Sequence, residues 1–150
     1  MTENIERRKY KRFPVIRDFS ETVEITIFSQ HQAQPPNKLP GIVLNLSAGG
    51  IALLTFVSIP VGSDVSFKLS LPNLKNAPLL KGKVVRVENH ENTYMVGIKF
   101  EEVEEGIKKM LIKMGEDYES CEIRLSFGVS NGCYKECSYY PLCNKKNKIK

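Results

Sequence analysis

Ser63-Asp64-Val65-Ser66-Phe67-Lys68-Leu69-Ser70-Leu71 alternates without a break: Val65, Phe67, Leu69 and Leu71 are apolar, and the residues between them are polar. A period of two puts all four apolar side chains on one face of a strand and Asp64, Ser66, Lys68 and Ser70 on the other. Thr22 to Phe28 repeats the pattern, with Val23, Ile25 and Ile27 on one face. Gly41 to Leu46 and Ile51 to Phe56 are short apolar runs separated by Asn45-Leu46-Ser47-Ala48-Gly49-Gly50. Leu79 to Glu88 and Thr93 to Phe100 flank Asn89-His90-Glu91-Asn92, a hairpin loop by composition. Pro35, Pro36, Pro40, Pro60, Pro72 and Pro78 mark the breaks. The period then changes. Val103, Ile107, Met110, Leu111, Met114 and Tyr118 form one stripe of an amphipathic helix, with Glu102, Glu104 and Glu105 in its first turn, where the macrodipole favours acids. About six short strands with tight turns predict a mainly β domain: a small six-stranded antiparallel barrel closed by a C-terminal helix. The pattern alone also accommodates a sandwich.

A chain of 150 residues is one ordinary domain and can bury roughly 70% of its unfolded surface. Apolar residues are 41% and charged residues 26%, the balance of a soluble globular protein. No apolar run approaches the ~18 residues of a membrane helix. Met1 to Glu6 is polar and lacks the apolar stretch of a secretory signal, so the expected compartment is the cytoplasm. The net charge of +5 is unevenly spread. Arg7, Arg8, Lys9, Lys11, Arg12 and Arg17 outweigh Glu3 and Glu6, and Lys145, Lys146, Lys148 and Lys150 crowd the C-terminus, while the body between is mildly acidic. A wide basic face for duplex nucleic acid is therefore not expected; a local anion site near an end is. The C-terminal lysines read as a solvated tail. The N-terminal cluster is interleaved with Tyr10 and Phe13, which suits a dedicated site.

Two motifs carry chemistry. Arg8-Lys9-Tyr10-Lys11-Arg12 is an Arg-x-x-x-Arg just before the first predicted strand, and Asn45 to Gly50 is an Asn-x-Ser-x-x-Gly at a strand–turn–strand junction. Either alone is commonplace, since Asn, Ser and Gly gather in any turn. Together, and in this order, they resemble the PilZ family, whose members are small barrels that bind the bacterial second messenger cyclic di-GMP. The resemblance runs from about Arg7 to Tyr118 and includes the Tyr94 to Phe100 strand and the closing helix. It implies a cyclic di-GMP receptor that changes shape on binding and signals to a protein partner in motility, adhesion or exopolysaccharide control.

The residue chemistry agrees with that implication. Cyclic di-GMP offers two phosphodiesters and two guanines. An Arg fork suits phosphate oxygens and the O6/N7 edge of guanine, and its plane stacks on a purine. Arg8 and Arg12 are the expected direct contacts, on a polar leader that would order on binding. Asn45 offers a carbonyl acceptor to guanine N–H groups and Ser47 a hydroxyl; the family often has Asp where Asn45 stands. Gly49 and Gly50 are expected to permit positive φ and close backbone approach. Arg7, at a position that in the family influences whether one ligand or a stacked pair binds, is either a further contact or a solvated charge.

All four cysteines, Cys121, Cys133, Cys137 and Cys143, fall in the last thirty residues, beyond the resemblance. Clustering in a cytosolic chain favours metal over disulfides, with zinc and an iron–sulfur cluster both open, although the spacing is not the usual C-x2-C knuckle. Reduced, unliganded thiols are the alternative. Residues 1–118 are thus expected as the barrel with its Arg-rich leader and closing helix, and 119–150 as a Cys-rich basic tail. His31 and His90 are expected in exposed loops. No nucleophile–base pair, paired carboxylates or phosphate-cradling glycine loop can be argued, so an enzyme is not expected. The competing reading is a metal-organised adaptor for nucleic acid or protein, using the tail on a degenerate scaffold.

Overall fold

The computed structural model describes residues 10–15, 22–28, 37–69, 77–128, 133 and 136–143. Seven strands occur in chain order: β1 (Phe13–Pro14), β2 (Thr22–Phe28), β3 (Asn37–Leu46), β4 (Gly50–Thr55), β5 (Asp64–Lys68), β6 (Leu79–His90) and β7 (Thr93–Glu102). Helix α1 (Glu105–Ser126) and a short 3-10 turn (Tyr140–Leu142) follow. All pairings are antiparallel. Strands β2, β5, β6, β7, β4 and β3 form a ring, closed where β3 pairs β4, and β1 lies on the free end of β3 beside β2. The expected six-stranded barrel with a C-terminal helix is therefore the observed fold, and closure removes the open edges that a sandwich would leave.

The alternating residues face inward as read. Val65 and Phe67 from β5, Ile25 from β2, Leu53 from β4, and Val96 and Ile98 from β7 are all nearly inaccessible. Phe67 packs on Phe100 with ring centroids 6.2 Å apart. Helix α1 adds Leu111 and Met114 to the same core, each burial contributing about 1.5–3 kcal/mol.

Three local expectations change. Pro40 lies inside β3 rather than at a break, opposite Glu24 of β2. Pairing with β4 begins only at Ile42, so β3 has an open side at Pro40 where a missing N–H does no harm. The loop expected at 89–92 shrinks to Glu91-Asn92, because β6 continues to His90 and β7 starts at Thr93. Glu91 takes φ 61° to make that turn, and His90 ends a strand. Helix α1 runs two turns past Tyr118, so the boundary expected at 118/119 falls within it. It stops where Gly128 adopts φ 83° and donates its N–H to the Leu125 carbonyl at 3.0 Å, the left-handed stop that glycine favours.

The segment after the helix is tied back onto the barrel. The Ser138 N–H and hydroxyl donate to Asp117 Oδ2 at 2.9 and 2.7 Å, and Lys113 Nζ reaches the same carboxylate at 3.1 Å. Tyr139 and Leu142 enter the core. The Tyr139 ring packs edge-on against Phe13 and Tyr118, at 5.6 and 4.9 Å, and its hydroxyl donates to the Pro14 carbonyl at 2.6 Å. Burial pushes the Tyr139 phenol well above its ordinary value, which keeps the proton on this donor. Among the described residues no helix is long and apolar enough to cross a membrane.

Burial pushes the Asp117 carboxyl up, but the two Ser138 donors and Lys113 outweigh it, so its pKa lies below the ordinary 3.8. A depressed carboxylate pKa stabilises the fold above the unfolded-state value, and that contribution disappears as pH falls through the folded-state value. Asp117→Ala should cost about 1–3 kcal/mol, because it strands the half-buried Ser138 donors. It should also flatten the loss of stability below about pH 4, as read by urea unfolding across pH.

Candidate functional site

A cleft of about 600 Å3 opens on the outer barrel wall where β3, β4, β6 and β7 meet the end of the leader. Its size falls within the usual range of small-molecule sites. Arg12 and Tyr10 line it from the leader, Asn45, Ser47, Gly49 and Gly50 from the β3–β4 junction, and Val85, Arg86 and Lys99 from β6 and β7. Arg12, the described arginine of the first motif, thus shares one cavity with the second motif. Arg7 and Arg8 lie outside the described residues.

Two bulges aim the side chains. On β3, Gly41 and Val43 face the core, so strict alternation would send Asn45 inward as well. The register shifts between Val43 and Asn45, leaving Leu44 as an extra residue. Beyond it Leu46 points into the core and Asn45 into the cleft. The same device acts on β6. Leu80, Gly82 and Val84 face inward, and a shift between Val84 and Arg86 makes Val85 the extra residue. Val87 then packs against the core and Arg86 turns out to the cleft. A bulge reverses the phase of a strand at the cost of one unpaired residue. Both therefore convert would-be core positions into cleft positions, and Val85, 53% exposed, is left as an apolar shelf beside them.

The junction turn is built from its own residues. Ser47 is buried, donates its N–H to the Gly50 carbonyl at 2.9 Å, and accepts the Gly49 N–H on its hydroxyl oxygen at 3.1 Å. The hydroxyl thus shapes the turn and keeps its own proton to donate. The expectation of positive φ at Gly49 and Gly50 is corrected: among the described glycines only Gly62 and Gly128 have it. Close approach is what these positions require. A Cβ on Gly49 would stand 3.1 Å from the Tyr10 ring, and one on Gly50 would run into the Ile98 carbonyl oxygen of β7.

The leader is held from its other side by α1. A Cβ on Gly115 would lie 2.6 Å from the Lys11 carbonyl oxygen, so the helix comes against the leader backbone only because that residue is glycine. Lys11 pairs with Glu119 at 2.9 Å. Lys108 Nζ lies 5.4 Å from the centre of the Tyr10 ring, and its hydrogen bond with Tyr10 raises its pKa. Tyr10 consequently touches both the helix and the cleft turn.

Tyr10, Arg86 and Lys99 are cleft residues that the sequence reading did not assign to the site. Arg86 and Lys99 look like ordinary solvated strand charges. The one signal for Arg86 is the broken alternation at Val84-Val85-Arg86-Val87, where two adjacent valines announce a bulge. The four cysteines stand apart from this cleft. All are half-buried, none is in a disulfide, and they line a second, small cavity between α1 and the tail.

The barrel thus carries on its wall a cleft bordered by Tyr10 and Arg12 at the end of the leader. The family model described as PilZ domain matches residues 6–114, and the chain belongs to that family. Among solved structures, Bacillus subtilis Inhibitor of motility (MotI/DgrA) superposes with a TM-score of 0.52 at 21% identity, covering 83% of this chain and 54% of that one. The PilZ domain of Escherichia coli YcgR with c-di-GMP gives 0.50 at 15% identity, covering 81% and 98%. E. coli YcgR in complex with c-di-GMP gives 0.52 at 14%, covering 83% and 51%. The chain thus spans about half the length of the first and third of these proteins and nearly the whole PilZ domain of the second. No match was found among curated proteins.

Gly50→Ala should lower stability by about 1–3 kcal/mol, because rigid backbone blocks the added methyl. Gly49→Ala should cost less, since a tyrosine ring can yield by a few tenths of an ångström. Parallel thermal melts of the two variants measure the difference.

Proposed function

We propose that the protein is a cyclic di-GMP receptor whose leader closes over the ligand in the β3–β4–β6–β7 cleft. The observation that carries this reading is the shared lining: Arg12 and the Asn45–Gly50 turn border one cavity of about 600 Å3. Arg12 and Arg8 supply planar forks for phosphate and for the guanine O6/N7 edge, and Arg7 is either a further contact or a solvated charge. Asn45 accepts from guanine N–H groups. Gly49 and Gly50 bring backbone to the ligand, and the Ser47 hydroxyl donates to it. Arg86 lines the same cleft as Arg12, and its plane offers a stacking surface for a base, with Val85 beside it.

The product of binding is conformational. Pulling the leader inward acts on Tyr10 and Lys11, which already touch α1. The ligand therefore biases how the leader sits against the helix, by no more than its preference for the closed state. A protein partner in bacterial motility, adhesion or exopolysaccharide control, acting in the cytoplasm where the messenger is available, would read that surface.

Calorimetric titration with cyclic di-GMP tests the assignment. Arg8→Ala and Arg12→Ala should each weaken binding by at least about tenfold, the loss of a charge-assisted contact being worth about 1.5–3 kcal/mol. Asn45→Ala and Arg86→Ala should weaken it measurably while leaving the melting temperature unchanged. Undiminished affinity in both leader variants would remove the mechanism.

A further inference from the structure

The four cysteines are every cysteine in the chain, and they come from four different places. Cys121 is on α1, Cys133 lies beyond the helix, Cys137 precedes the Ser138–Asp117 tie, and Cys143 follows the 3-10 turn. Yet all four line one cavity. Nothing in the proposed ligand site uses them, and they lie outside the residues matched by the family model.

We propose that Cys121, Cys133, Cys137 and Cys143 bind a single zinc ion in the cavity they share, forming a tetrathiolate site that fastens the tail to α1. The donor set is complete for zinc, which takes four ligands in a closed structural site and accepts thiolates in all four positions. Cavity size separates the two metal options. Its volume of about 20 Å3 holds one water-sized body. A single ion needs less of that space than a four-iron cluster does. Among the described residues no three His, Cys, Asp or Glu already stand as a ready-made metal site. Binding therefore includes rotation of the short thiol side chains toward the ion. As the four Zn–S bonds form, four thiol protons leave to solvent. Zinc with four thiolates carries two net negative charges, and the Arg124 guanidinium on the cavity wall offsets part of them. Asp117 on the same wall is already engaged by Ser138 and Lys113, so its charge is satisfied separately.

The energetic need is local. Among the described tail residues Tyr139 and Leu142 are buried in the core, a small apolar contribution against the entropy of fixing a segment. Metal-binding free energy becomes folding free energy when the ligands come from separate segments. Here it would secure the turn that carries Tyr139 against Phe13 and Pro14.

The test uses the full chain, expressed with added zinc and purified without chelator. Elemental analysis should find about one zinc per chain and no acid-labile sulfide. The thiols should resist a thiol reagent until a chelator is added, and cobalt(II) in place of zinc should give the absorption of tetrahedral cobalt thiolate. Cys121→Ser and Cys137→Ser should each weaken zinc binding by at least about tenfold, with far-ultraviolet circular dichroism reporting that the barrel stays folded. Four freely reacting thiols in wild-type protein equilibrated with zinc would overturn the proposal. So would iron with sulfide, a disulfide found by mass spectrometry, or undiminished zinc binding when all four cysteines are serine. The wild-type measurements decide the matter even if the variants fail to fold. They involve no cyclic dinucleotide, so their outcome is independent of the ligand site.

Discussion

Burial of Phe13 is the constraint on which the arrangement turns. Its side chain is 1% exposed, held between Leu46 of β3, its strand partner, and the edge of the Tyr139 ring. Arg12 is its immediate neighbour. A fully buried aromatic one residue after a cleft-lining arginine fixes where the leader leaves the barrel, and hence which part of the wall that arginine can reach. Strand β1 has only two residues, far too few to dock on ladder hydrogen bonds alone. The side chain, with the Tyr139 hydroxyl on the Pro14 carbonyl, does the anchoring.

That anchor joins parts of the chain that are otherwise remote. Tyr139 belongs to the tail, and Asp117 ties the tail to α1. Through Gly115 and Glu119, α1 touches the leader again at Lys11. Leader, helix and tail form one packed layer at one end of the barrel, while the cleft opens on the wall beside it. In the proposed mechanism a change in leader position would be felt first at Lys11 and at the α1 residues it touches.

The cleft depends on strands that break their own period. A regular β3 and β6 would bury Asn45 and Arg86 and expose Leu46 and Val87, an arrangement that buries a charge and wets apolar surface. The extra residues at Leu44 and Val85 avoid both penalties. They place polar groups on the outside of a wall whose inside at these positions is apolar. The glycines of the junction work differently from what their composition suggests: they let two backbones approach, and none of the unusual φ values falls there.

Alternation in β5, β2 and β7 and the helical stripe from Val103 to Tyr118 could be read from the chain because solvent on one side and core on the other impose a period on each element separately. The paired Arg-x-x-x-Arg and Asn-x-Ser-x-x-Gly motifs were legible for a similar reason, since each is a local cluster of residue types suited to anions and purines. Pro40 inside a strand, the tight turn at Glu91 and the two-turn extension of α1 were not legible, because each depends on what lies across from it. Arg86 and Lys99 in the cleft, and four cysteines around one cavity, belong to the same class. Local periodicity is a property of neighbouring residues, but which distant side chains share a cavity is set by strand register and ring closure, and these exist only once the whole chain has packed.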